Sequence, residues 1–256
     1  MPVTFLILLV STLGIISVTY YFSVQRVYSQ TQTFQVSTAK QTFISLNNAV
    51  LSTLWQPGSS ATFDVADSGG SDIQPANNPL TITISDNIAL NTTIFNAHIG
   101  QITYDLPVSD PADSGVYLAG DSRTITNESG SSLSQLFITN AYPSPLIQLS
   151  YRPAVSYALG EPINGVPVTN VRVYIVNLNS SDAISELGEL PLQISCSTQL
   201  TTVTYQLMYQ PQSITITSQL NGQDGSVSVP ILSQGPSQLI SIETVISNIE
   251  ITRLIQ

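Results

Sequence analysis

The stretch VTFLILLVSTLGIISVTYYFSVQRVYSQTQTFQVSTAKQTFISLNNAVLSTLWQPG, Val3 to Gly58, decides the architecture. Its first part, Val3–Phe22, is an uncharged run of about twenty residues, the length that crosses a hydrocarbon core about 30 Å thick. In lipid every backbone polar group must be bonded within the segment, so a helix is the expected form. Tyr20, Tyr21 and Phe22 stand where an aromatic belt meets an interface. The run lacks a basic flank before it and a small-residue cleavage site after it, and it is longer than a secretory signal core. Residues 1–22 are therefore expected to be an uncleaved anchor in membrane lipid. Ser11, Gly14 and Ser17 offer the small side chains through which such helices pack closely.

The helical pattern continues past the membrane length. Ser23–Trp55 contains no Pro and no Gly, and Val24, Val27, Tyr28, Phe34, Phe43, Leu46, Val50 and Leu54 recur mostly at steps of three, four and seven. Ser29–Thr33 is the weakest part, and Gln56-Pro57-Gly58 ends the run. One unbroken helix over Val3–Trp55 would be about 80 Å long at the α-helical rise. The alternative is a kink, with a separate amphipathic helix or stalk over 23–56 packed on the domain. In either case Leu46, Val50 and Leu54 are expected to be buried, against the domain or against neighbouring helices.

Beyond Ser60 the period changes to two. Alternating segments occur at Leu80–Ser85, Ile94–Leu106, Gln135–Thr139, Leu146–Tyr151, Asn170–Val176, Thr201–Met208, Ser213–Leu220, Ser226–Ile231 and Leu239–Leu254. The fold class expected is α+β: a long N-terminal helix, then a mainly antiparallel β-sandwich over 60–256. If there are two subdomains, the division falls near 152–165. Asn221–Gly225 reads as the five-residue loop of a hairpin. Pro230 places the second arm on a sheet edge or at a bulge. The last segment changes phase between Ile246 and Ile249, which predicts either a bulge near Ser247-Asn248 or a strand buried on both faces. The domain is expected to fold without the helix.

Composition and motifs argue against catalysis. Charged residues are only 9% of the chain, and Ser, Thr, Gln and Asn take their place. Arg26 and Lys40 precede the first acidic residue, Asp64; from it onward four basic side chains face all 16 acidic ones. Such a domain repels nucleic acid phosphates. His98 is the single histidine and reads as structural or surface. Cys196 is the single cysteine, so no internal disulfide and no thiolate metal centre can form; it reads as a buried, inert thiol. Asp110, Asp113 and Asp121 lack the spacing of a calcium loop. No phosphate loop, nucleophile elbow or zinc-binding His pair is present. No enzyme activity and no cofactor are expected.

Three Asn-x-Ser/Thr sequons, at Asn91, Asn127 and Asn179, fall in expected loops or strand ends. They agree with a domain on the outside of a cell. A hydrophobic helix, an amphipathic continuation ending at Trp55-Gln-Pro-Gly58 and a Ser/Thr-rich β-domain together resemble an archaeal type IV pilin or archaellin. The resemblance implies helices packed into a filament core, with β-domains as the outer sheath. Copies of the chain or related pilins would then be the partners. The second reading is a monomeric anchored binding module, such as an adhesin or a stator-like protein contacting surface-layer protein.

Overall fold

The computed structural model describes residues 2–65, 71–107, 114–127, 133–140, 144–180, 190–207, 210–233 and 238–253. Helix α1 is continuous from Pro2 to Thr53, so the weak stretch at Ser29–Thr33 introduces no break and no separate second helix forms. Beyond Thr53 the chain turns at Gly58, whose φ of 81° suits glycine. The Gly58 N–H donates to the Cys196 carbonyl (2.9 Å) and the Cys196 N–H to that of Ser59 (3.1 Å), starting the first strand beside a later one.

The strands are β1 (Ser60–Val65), β2 (Ser71–Ser85), β3 (Asn91–Asp105), β4 (Tyr117–Ala119), β5 (Ser134–Thr139), β6 (Leu146–Tyr151), β7 (Ala154–Ile163), β8 (Val166–Ser180), β9 (Leu190–Leu207), β10 (Ser213–Leu220), β11 (Gln223–Pro230) and β12 (Gln238–Arg253). Sheet A has the order β1-β9-β12-β8-β7, and sheet B the order β11-β10-β2-β3-β6-β5-β4. Pairing is antiparallel except between β12 and β8. The α+β reading and the β-sandwich are thus present.

Two apolar cores lie between the sheets. One joins Leu80, Ile82 and Ile84 of β2 to Val171, Val173 and Ile175 of β8 and to Ile240 and Ile242 of β12. The other joins Ile102 and Tyr104 of β3, Leu149 and Tyr151 of β6, Ile194 and Cys196 of β9, and Ile249 and Ile251 of β12 to the helix. Between the cores the buried positions change parity, from Ile99 to Ile102 in β3, from Ile175 to Val176 in β8 and from Ile242 to Ile249 in β12. The register of β12 against β8 and β9 has no shift there. The phase change is therefore not a bulge: each half of the strand buries a different face. The two sheets cross at Gly100, where an added Cβ would overlap the Leu178 carbonyl. The Gly100 N–H donates to Asn177 Oδ1 at 2.9 Å, which fixes the crossing.

The helix fills the space that opens beyond this crossing. Val36, Ala39, Phe43, Leu46, Val50 and Leu54 are all buried and form one stripe at alternating steps of three and four. Phe43 packs on Tyr104 with ring centroids 5.4 Å apart. Asn47 is a buried polar residue of this helix, as are Thr42 and Thr53: Tyr151 OH donates to its Oδ1 (2.9 Å), and its Nδ2 donates to Ser134 Oγ (3.4 Å). Burial pushes the Tyr151 phenol above its ordinary value, so it stays a donor. At the helix end Leu54 O accepts from Ser247 Oγ at 3.5 Å.

Two local readings change, and the edge position of Pro230 does not. The β10–β11 hairpin closes with a two-residue turn, not a five-residue loop: Leu220 is opposite Gln223, and Asn221 and Gly222 have φ of 50° and 77°. Asn-Gly suits the double positive φ of a type I′ turn, whose twist matches the strands, and Gln223–Gly225 therefore joins the ladder. Pro230 lies on β11, an edge strand of sheet B. The stretch 152–165 is not a linker, because β7 pairs along β8 within sheet A.

A domain without the helix is also no longer expected to fold. The six buried stripe residues include Phe43, Leu46, Val50 and Leu54, and removing each such side chain costs roughly 2–5 kcal/mol. Together these four contribute about 8–20 kcal/mol on that scale, as much as the whole ~5–15 kcal/mol net stability of a typical domain. A chain beginning at Gln35 should melt cooperatively, and one beginning at Ser60 should not; circular dichroism melts check this. In the longer chain, Val50→Asp should cost several kcal/mol, because it places a carboxylate at a position with 0% exposure.

Candidate functional site

The surface with the least cover by the chain itself is the helix before the domain. From Val3 to Thr31 every side chain is exposed. Leucines, isoleucines, valines and aromatics cover Val3–Phe22 on all sides, and this single helix is long and apolar enough to span a membrane. Ser11 and Thr12 return their hydroxyls to the carbonyls of Ile7 and Leu8 (2.7 and 2.9 Å), which removes the cost of these groups in lipid. A Cβ at Gly14 would meet nothing within 4 Å, and Ser11 and Ser17 are likewise uncovered.

Exposed apolar residues continue beyond the spanning length. Val24, Val27, Tyr28 and Phe34 are 48%, 62%, 64% and 73% exposed. With Tyr20 and Thr31 they form one stripe at helical spacing. At 100° per residue this stripe is rotated by roughly a third of a turn from the Val36–Leu54 stripe. It faces sideways from the chain's own domain. Leu46, Val50 and Leu54, expected to be buried against the domain or against neighbouring helices, lie in the core of the chain's own domain.

The three sequon asparagines are exposed: Asn91 at the start of β3, Asn127 after the Thr126 bridge and Asn179 near the end of β8. Asn179 also borders a polar groove of about 300 Å³ with Asn177, Ser195, Ser197, Asn248 and Glu250. Asn177 Nδ2 donates to Asn248 Oδ1 at 3.0 Å across that groove. The groove was not legible as a cluster in sequence, because its residues come from three strands, β8, β9 and β12. His98 is exposed. Burial raises the Cys196 thiol above its ordinary range, so it is protonated and unreactive near neutral pH.

Asp121 belongs to a structural ion pair. Its carboxylate accepts from Arg123 and from the fully buried Arg152. Arg152 Nη1 also donates to the Arg123 carbonyl at 3.0 Å. These bonds to Arg123 and Arg152 hold the Asp121 carboxyl well below the usual carboxylate range. Asp110 and Asp113, its expected neighbours, lie outside the described residues. Among the described residues no group of three His, Cys, Asp or Glu could hold a metal.

Asp121→Asn leaves the buried guanidinium with neutral acceptors only. Breaking a buried pair costs roughly 3–5 kcal/mol. Asp121 is 42% exposed and two carbonyls remain, so about 2–3 kcal/mol is expected at pH 7. The carboxyl is depressed in the folded state, so its stabilisation is complete above the free Asp value of about 3.9 and is lost as pH falls below it. The difference between native and variant proteins in urea should stay constant from about pH 5 to 8 and shrink below about pH 4. No difference at pH 7 would show that the pair contributes nothing.

No family model, no curated protein and no solved structure matches this chain.

Proposed function

We propose that this protein is a structural subunit of an extracellular filament, assembled through its N-terminal helix with the β-domain outside. The observation that carries this reading is the second apolar stripe. A stalk that served only its own domain needs the buried Val36–Leu54 face and no other. Val24, Val27, Tyr28 and Phe34 are apolar, face sideways from that domain and extend past the length that lipid covers. Helix–helix contact between copies is the cover that needs no further component. The unbroken helix transmits the position of the packed segment to the domain with no hinge.

The outside assignment rests on the three exposed sequon asparagines and the uncharged polar surface. Arg26 and Lys40 follow the span on the domain side, against the usual cytoplasmic bias of basic residues. The polar groove at Asn177, Asn179 and Asn248 favours the second reading, a monomeric anchored module with a ligand in that groove.

Electron microscopy of surface filaments, with mass spectrometry of their subunits, separates the two. Gly14→Arg adds roughly 2.5–3.5 kcal/mol to membrane insertion and blocks close approach, so filaments should disappear. Val27→Asp should also abolish them while leaving the domain's melting temperature unchanged, because Val27 touches no part of the domain. A native chain that remains monomeric on the cell surface overturns the filament reading.

A further inference from the structure

Sheet A ends in two open edges. On one side β1 covers β9 only as far as Ser195. From Ser197 onward β9 has β12 on one flank and, among the described residues, no strand on the other. Gln199-Leu-Thr-Thr-Val-Thr204 is exposed at every position and holds no charge, proline or glycine. Natural proteins usually blunt such an edge with Lys, Pro, a bulge or a covering segment, because it is a template for another strand. On the opposite side β7 is covered, among the described residues, only at its start, where the Val155 N–H donates to the Thr126 carbonyl at 2.8 Å. Ser156–Gly160 follows without such cover, and Tyr157 and Leu159 are 40% and 63% exposed.

The registers set these two edges level with each other. Ser156 is opposite Arg172, Arg172 opposite Glu243, and Glu243 opposite Thr202. Gly160 leads in the same way through Val168 and Leu239 to Gln206. The pairing senses also make β7 and β9 run in the same direction: antiparallel, parallel and antiparallel in turn. Two copies set side by side with helices pointing the same way therefore bring β7 of one beside β9 of the next as parallel strands. On one face Tyr157 and Leu159 then lie level with Val203 and Tyr205; on the other, Ser156 and Ala158 lie level with Thr202 and Thr204. Apolar meets apolar, and small polar meets small polar. Pairing two β9 edges about a twofold axis normal to the sheet would instead reverse one helix, which chains anchored in one membrane cannot do.

We propose that copies of this chain join edge to edge, the Ser156–Gly160 edge of β7 adding as a parallel strand to the Thr202–Gln206 edge of β9 in the next copy. Sheet A then continues from subunit to subunit through a heterologous contact that does not close on itself. The inference uses the filament reading only for the common direction of the helices.

Cysteine cross-linking of the full-length protein tests it. Cys196→Ser removes the native thiol; Tyr157→Cys and Val203→Cys are then added at exposed positions. Adjacent strands lie about 4.8 Å apart, and a disulfide bridges Cα atoms about 4.4–6.8 Å apart. Mild oxidation of membranes and of surface filaments should give a ladder of covalent dimers, trimers and longer species. Tyr157→Cys alone, or combined with Ser228→Cys on the far edge of sheet B, should give no ladder. Filaments without a ladder, or a ladder equally strong in the Ser228→Cys control, overturn the edge pairing and leave helix assembly standing. A ladder in membranes without filaments supports edge pairing and ends the filament reading. Neither filaments nor a ladder overturns both.

Discussion

Six apolar side chains of one helix, Val36 to Leu54, complete a core that the two sheets do not close by themselves. Because the stripe belongs to the same helix as Val3–Phe22, the part long and apolar enough to span a membrane is not tethered to the domain but is built into it. Motion of the anchor relative to the domain requires bending α1 or exposing Phe43 and Leu46. Asn47 adds register to this burial. Sliding the helix by one turn would move its amide away from Tyr151 OH and Ser134 Oγ and leave buried polar groups without partners.

The crossing of the sheets explains why room for a helix exists. At Gly100 the backbones of β3 and β8 approach so closely that a side chain is excluded. On one side of that point sheet packs on sheet in the ordinary way. On the other side the opposite faces of the same strands diverge, and the gap is of a size that a helix fills. The long strands β8, β9 and β12 pass through both regions, so neither core can unfold without disturbing the ladders of the other. The same geometry leaves β9 uncovered from Ser197 onward and β7 uncovered beyond Val155 among the described residues. The helix and the crossing thus determine where sheet A stays open.

The two surfaces proposed for contact between copies lie apart as a result. The helix presents one sideways apolar stripe next to its membrane-length segment, and sheet A presents two level, co-directional edges within the domain. Contacts at the helix depend on packing and on exclusion from lipid and water. Contacts at the edges depend on backbone hydrogen bonds, which a nearly uncharged Ser/Thr/Gln surface does not oppose by charge repulsion. The low content of charged residues has a physical consequence here beyond solubility: it leaves edges that charge would otherwise protect.

The sequence by itself determined the elements whose signal is local. The uncharged run Val3–Phe22, the lack of Pro and Gly from Ser23 to Trp55, and Pro57-Gly58 specify the helix and its end. Alternation specified strands such as Leu146–Tyr151 and Ser213–Leu220, because period two with β-branched residues needs no tertiary information. The Asn221-Gly222 turn was written in the chain but read three residues too long, since Gln223–Gly225 has loop-like composition and strand geometry. Only the tertiary structure decided which partner covers Leu46, Val50 and Leu54, because periodicity identifies a buried face and not what lies against it. Only it decided that the phase change before Ile249 is a change of partner rather than a bulge, since both give the same pattern in one dimension. The open edges of β7 and β9 and the polar groove at Asn177 and Asn248 were equally invisible. They depend on which strands lie side by side, and strand order is set by long-range packing around Gly100 and the helix.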